Sequence, residues 1–274
     1  MSEPSEIVFA AVGDVHANMH AFVDLVTDWE RESGTRVAFV LQTGDFEPHR
    51  DEADLQTMAA PAKHKRVGSF PDFANGSAAF PWPVYFIGGN HEPYGFLDQH
   101  PDGEWIAENC RYLGRAGAVT LAGLRIVFLT GIHREADFRS TRAPVERINH
   151  VPNKAFTAIT EGDIEKALSF ESADVLMMHD WPEGIVSPSD HGFFERNCRR
   201  LRLQQLGNPY GRLLVELLAP RLVFCGHMHM RYRAELEASG GSATSVYCLG
   251  RVEQGRDGLA VFGVSSDGEI SEIT

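Results

Sequence analysis

The chain has 274 residues, 43% hydrophobic and 23% charged, an ordinary balance for a folded protein long enough to bury a core without covalent staples. Its 25 basic and 38 acidic residues give a formal net charge of −13, which excludes strong non-specific binding to long nucleic acid, because neutralising phosphates needs a basic surface. Four cysteines without a C-x-x-C pair exclude a disulfide framework or zinc finger, and no apolar run approaches the roughly 20 residues of a membrane helix.

The first residues, Met1 to Glu6, are polar and carry no basic start followed by an apolar run, so no secretory leader and a cytoplasmic protein are expected. Ile7–Val12 reads as a buried strand closed by Gly13. Met19–Glu32 has apolar residues at helical spacing and ends at Gly34. Val37–Leu41 is a second buried strand, completing a βαβ unit. Pro48 to Pro83 reads as an irregular insertion, and Val84–Ile87 as a third strand. Arg111–Leu113, Ala118–Leu121 and Leu124–Leu129 are predicted strands, the last two joined by a tight turn at Ala122-Gly123. His133–Thr157 reads as a long polar loop of the kind that often carries function. A helix over Glu161–Ser169 precedes a strand at Val175–Met178. Glu183–Asn208 is a mixed insertion, Leu213–Leu218 a helix and Leu222–Cys225 a strand. Tyr232 to Val264 alternates strand-like runs with Gly and Ser turns. The residues alone predict one α/β domain over 1–274, a sheet flanked by helices with an all-β C-terminal extension. Cys225 and Cys248, in apolar runs, read as small buried hydrophobes.

The chemistry-bearing residues fall just past strand ends. Gly13-Asp14-Val15-His16 follows the first strand, Gly44-Asp45 the second and Gly88-Gly89-Asn90-His91-Glu92 the third. His179-Asp180 follows Met178, and Gly226-His227-Met228-His229 follows Cys225. Parallel strand ends on one sheet edge open onto one crevice. Imidazole, carboxylate and amide oxygen together suit Mn, Fe, Zn, Ni or Co. A shared carboxylate, Asp45, can bridge two such ions about 3.5–4 Å apart, which clamp a phosphoryl group for in-line attack. His91 is then a candidate general acid on the leaving oxygen, or a group that steadies the transition-state charge. Each pair alone has an ordinary structural explanation: Asp14 as a helix cap, Gly44-Asp45 or Asn90 in a turn, His179 as a satisfied core histidine. Five such elements in one order point to a metal centre.

These motifs resemble the calcineurin-like metallophosphoesterases. The resemblance implies a four-layer αββα sandwich, two mixed sheets flanked by helices, with two divalent ions. By position it implies one ion on Asp14, His16, Asp45 and His229, and the other on Asp45, Asn90, His179 and His227. His91 matches the catalytic histidine, and Asp14 is counted with it as catalytic through its ion. The G-N-H element ends in Glu92 where Asp is more frequent, which implies looser orientation of His91.

Beyond the superfamily, His179-Asp180-Trp181-Pro182 resembles the H-D-W-P segment of RNA lariat debranching enzymes. Gly44-Asp45-Phe46, Asp51-Glu52-Ala53-Asp54-Leu55, Phe86–Glu92, Tyr112-Leu113-Gly114 and Asp137-Phe138-Arg139 continue the likeness in order. His133–Thr157 is similar to that family's lariat-recognition region. The eukaryotic enzymes of that family usually carry Cys at the position of Asp14, so the hard carboxylate of Asp14 is expected to favour two bound ions. The expected activity is hydrolysis of a phosphodiester, in a nucleotide or small RNA, such as a 2′,5′ linkage. A phosphomonoesterase or protein phosphatase, or a non-catalytic metal-binding scaffold, are the alternatives. Trp181 could stack on a base or pack its loop, with packing favoured, and Asp180 could orient a ligating histidine. His133, His150, His191, Arg134, Arg139 and Arg142 are further candidates for phosphate contact.

Overall fold

A computed structural model describes residues 6–197, 206–238 and 240–273. Cys198, within the predicted mixed insertion, lies outside the described residues. Among the described residues, thirteen strands form two mixed sheets. β1 (Ile7–Val12), β2 (Phe39–Gln42), β3 (Val84–Phe86), β4 (Glu104–Ala107) and β5 (Cys110–Tyr112) come first in the chain. β6 (Ala116–Leu121), β7 (Leu124–Leu129), β8 (Val175–Met178) and β9 (Leu222–Cys225) follow, then β10 (Tyr232–Glu237), β11 (Ala243–Cys248), β12 (Leu259–Val264) and β13 (Ile270–Ile273). The first sheet runs β13-β12-β1-β2-β3-β5-β4 and the second β10-β11-β9-β8-β7-β6.

The C-terminal portion is built of strands, as expected, and these join both sheets. β12 pairs antiparallel with β1 and β13 extends that edge, while β11 pairs parallel with β9 in the other sheet. The reason lies in side-chain alternation along the strands. Phe9, Ala11, Phe39 and Leu41 on one face pack with Phe224, Met177, Phe128, Tyr247 and Phe262, forming the layer between the sheets. Ala10, Val12 and Val40 on the opposite face pack against Phe22, Val26 and Trp29 of α1 (Met19–Ser33). A third layer joins Val127, Leu176, Met178 and Val223 to α6 (Glu161–Leu168) and α8 (Pro209–Leu218). Strands apolar on both faces need cover on both, which yields the αββα order of layers. Phe9 stacks on Phe39 at 5.2 Å and meets Phe224 edge-on at 6.2 Å, pinning the sheets together.

Local signals account for the element ends. α1 starts at Asn18, whose side chain accepts the Ala21 N–H, and stops at Gly34 in a left-handed conformation. The β6–β7 turn has positive φ at both Ala122 and Gly123, as a type I′ hairpin requires. The two regions read as irregular contain short helices: α2 (Glu52–Leu55) and α3 (Phe70–Ala74) in one, α5 (Glu135–Phe138) in the other, with α4 (Tyr94–Leu97) after the third strand and α7 (His191–Asn197) before α8. Cys225 and Cys248 are buried neighbours on β9 and β11, Sγ to Sγ 3.7 Å, and burial pushes the Cys248 thiol up. Among the described residues no helix is long and apolar enough to cross a membrane.

Candidate metal centre

The loops after β1, β2 and β3 of one sheet and after β8 and β9 of the other meet at one end of the sandwich. Asp14, His16, Asp45 and His229 each offer a ligand atom there, all within 4.8 Å of one another. His179 Nε2 lies 3.4 Å from Asp45 Oδ1, and the rings of His179 and His227 are 5.0 Å apart. The backbone N–H groups of Asn90 and His91 donate to Asp45 Oδ1 at 2.7 and 2.8 Å. The structure thus brings all seven sequence-marked ligand residues and His91 into one cluster.

The backbone is bent to do this. His16, Asp45, His227 and His229 all have positive φ, between 48° and 68°, a region costly for side chains larger than glycine. Two glycines are required by contact. A Cβ on Gly89 would sit 2.3 Å from Asp45 Oδ1, and one on Gly226 would sit 2.1 Å from Asp14 Oδ1. Asp14 Oδ1 accepts the His227 N–H at 3.0 Å, which ties β1's loop to β9's.

The donor set fits a cation. The ring of His179 is buried, and its Nδ1 lies 2.8 Å from the Thr43 carbonyl, so Nδ1 carries a proton and Nε2 is the nitrogen turned toward the Asp45 carboxylate. An imidazole nitrogen facing a buried carboxylate needs a positive charge between them, which a second proton on the ring or a metal ion in its place supplies. His179 Nε2, Asp14 Oδ2 and Asn90 Oδ1 are buried with no hydrogen-bond partner. His16 Nε2 and His229 Nε2 face each other at 2.8 Å, with Asp14 Oδ2 3.0 Å from the latter. These residues could hold a metal ion.

The same crowding sets the titration of the metal-free cluster. Burial works against a charged His16 ring, but its bond to Glu47 and the charges of Asp45, Glu47 and Asp14 raise its pKa to about 9. Burial is likewise overcome at His179, where Asp45 brings the pKa up to about 10. Burial alone would raise the Asp45 carboxyl, but His179, His91 and His16 hold it well below the usual range.

Other sequence candidates divide. Trp181 is buried, donates its indole N–H to the Gly226 carbonyl at 2.9 Å and stacks on Tyr232, which is the packing reading. Asp180 accepts the His133 backbone N–H and approaches His227 Nε2 at 3.8 Å. Arg142 bonds to Asp163 and the Ala158 carbonyl, and Arg134 to Asp137, so both guanidinium groups bind within the protein. Arg139, His150 and His191 are exposed. Glu92 corrects the expected link to His91: its carboxylate accepts the backbone N–H groups of Phe46, Glu47 and Gly89 and so holds the Asp45 loop.

Sequence reasoning passed over Glu47 and His49, both buried beside the cluster, and Lys63, His64, Arg66 and Arg251. A Glu and a His within four residues of Asp45 were the available signal. The four basic residues, with His16, Glu47, His91, His229 and Glu253, line a cleft of about 520 Å³. A smaller pocket of about 170 Å³ opens beside His227, lined by His133, Asp180 and Met228 among others.

A sandwich of two mixed sheets with His, Asp and Asn gathered at its strand ends defines a metal-ligating α/β protein. The chain belongs to the calcineurin-like phosphoesterase family, whose model matches residues 7–231. It is similar to the lariat debranching enzymes of Arabidopsis thaliana (29% identical, covering 94% of this chain and 63% of the relative) and Danio rerio (31%, covering 86% and 42%). That of Entamoeba histolytica is 31% identical, covering 82% of this chain and 65% of the relative. The chain therefore spans about two fifths to two thirds of the length of the curated relatives it matches. The solved structure of GAP50, the anchor in the inner membrane complex of Plasmodium, superposes with a TM-score of 0.51 over 98% of this chain and 84% of that one, at 13% identity, a likeness of fold.

Proposed function

We propose that this protein is a dinuclear metal-dependent phosphodiesterase, a hydrolase of a nucleotide or RNA linkage such as 2′,5′, held in a single domain and working in the cytoplasm. The observation that carries the reading is His179 Nε2 turned toward Asp45 Oδ1 in a cluster where His179 Nε2, Asp14 Oδ2 and Asn90 Oδ1 are buried without a hydrogen-bond partner. Asp14, His16, Asp45 and His229 would hold one ion, and Asp45, Asn90, His179 and His227 the other. Mn, Fe, Zn, Ni and Co all match this donor set. Such ions supply charge neutralisation of the phosphate and acidification of water.

The remaining work falls to side chains. His91 stands beside Asp45 and His16 at the cleft wall. Burial opposes charge on its ring, but Glu47 and Asp45 raise its pKa, which favours the protonated ring that a general acid needs. Attack of water on phosphorus forms one P–O bond as the bond to the leaving oxygen breaks, and His91 gives its proton to that oxygen. Lys63, Arg66 and Arg251 offset the phosphate charge along the cleft. Space on both the His91 side and the His227 side of the cluster supports a diester, which carries an organic group on two of its four oxygens, over a monoester. The names of the relatives support the 2′,5′ linkage as first substrate.

Protein loaded with Mn or Fe should hydrolyse bis-nitrophenyl phosphate and a 2′,5′-linked RNA faster than nitrophenyl phosphate. Both diesters left intact by fully loaded protein would overturn the reading, and a preference for the monoester would favour a phosphomonoesterase.

A further inference from the structure

We infer that Glu47 is a positioning residue for this reaction, one buried carboxylate that sets the rings of both His16 and His91. The inference rests on the phosphodiesterase reading above. Glu47 Oε1 lies 2.7 Å from His16 Nδ1 and 3.5 Å from His91 Nδ1. Its Oε2 lies 3.4 Å from Nε2 of His49, whose side chain is fully buried. One carboxylate therefore sits among three imidazoles.

The consequence for ring orientation follows from which nitrogen each ring turns to Glu47. With Nδ1 of His16 held there, Nε2 faces the cluster, 2.8 Å from His229 Nε2 and 3.7 Å from Asp14 Oδ2. This is the carboxylate–imidazole–metal arrangement that fixes tautomer and direction in ligating histidines. Nδ1 of His91 faces the same carboxylate at 3.5 Å, without a hydrogen bond, which leaves Nε2 for the leaving oxygen. The two rings also meet edge to face, centroids 5.3 Å apart, so each limits the other's rotation.

The placement of Glu47 is itself enforced. Its φ is +58°, a left-handed conformation that a glutamate adopts at a cost. Its backbone N–H donates to Glu92 Oε2 at 2.9 Å, and its carbonyl accepts the His49 N–H at 2.8 Å. Glu92, next to His91 in the chain, thus acts on that ring only at one remove, by fixing the backbone of Glu47.

The test compares Glu47→Gln and Glu47→Asp with the parent, all loaded with saturating Mn, on a nitrophenyl diester and a dinucleotide. Metal content is measured in each. Glu47→Gln should keep the parent's metal stoichiometry, need about tenfold more Mn for half-saturation and lose about 10–100-fold in kcat on the dinucleotide. KM should move little. The loss should be smaller on the nitrophenyl ester, whose leaving group needs no proton. Glu47→Asp should recover part of the loss, and Glu47→Gln combined with His91→Ala should be no slower than His91→Ala alone. Unchanged kcat in Glu47→Gln, or multiplied losses in the double variant, would overturn the inference. Loss of a whole ion would overturn it too, by making Glu47 a ligand. An inactive parent would sink the phosphodiesterase reading instead.

Discussion

The Asp45 carboxylate accepts the backbone N–H of Asn90 at 2.7 Å, so the loops after β2 and β3 are one unit. The same oxygen accepts the His91 N–H and faces His179. Asp45→Ala should therefore both weaken metal binding, by about 10–100-fold or more, and displace His91. Metal titration and turnover should fall together in this variant, whereas full metal binding would contradict a bridging role.

His91 touches the reaction through proton transfer in this account. His91→Ala should lower kcat by about 10²–10⁴-fold on a nucleoside leaving group while metal content holds. Elemental analysis beside single-turnover rates checks both halves of that statement.

The metal-free centre is protonated at neutral pH, with His16 raised to about 9 and His179 to about 10. Ligation requires neutral rings, so ions displace protons and apparent affinity should climb as pH rises from 7 toward 9. Calorimetric titration of Mn at pH 7 in buffers of different ionisation enthalpy should register about two protons released per loaded centre. No release would mean that the rings were already neutral.

Glu92 satisfies three backbone N–H groups in a site closed to water. Glu92→Ala strands them, and unfolding by urea should show a loss of about 3 kcal/mol. Metal retention should drop in parallel, since the Asp45 loop loses its tether.

Asp163 caps α6 with Thr160 and pairs with Arg142 of the long loop. Burial would raise its carboxyl, but Arg142 and the Thr160 bonds hold it below the usual range. Because the folded pKa lies below the unfolded one, its contribution is present above about pH 4 and fades as pH falls through the folded value. Asp163→Asn should cost about 1–2 kcal/mol at pH 7, and the gap to the parent should close under more acid conditions.

Much of this arrangement was legible in the chain. Apolar runs ending in Gly-Asp, Gly-Asn-His or Gly-His-x-His mark strand ends by hydrophobicity and ligand ends by chemistry, and both signals are local. The division of the strands between two sheets was not, because β1 and β9 carry the same apolar pattern and only long-range pairing separates them. The likeness to a known family supplied that division. Arg142 in a polar loop looks the same whether it awaits phosphate or clasps Asp163. Glu47 is the sharpest case: nothing in Asp45-Phe46-Glu47 says that the backbone reverses at Glu47, or that His16 and His91 arrive on either side of it.

The most direct test is a crystal grown with Mn and measured above and below its absorption edge. Two anomalous peaks are expected on either side of Asp45, one beside Asp14, His16 and His229, the other beside Asn90, His179 and His227. A map with no peak among these side chains, or with the metal bound elsewhere on the molecule, would contradict the account.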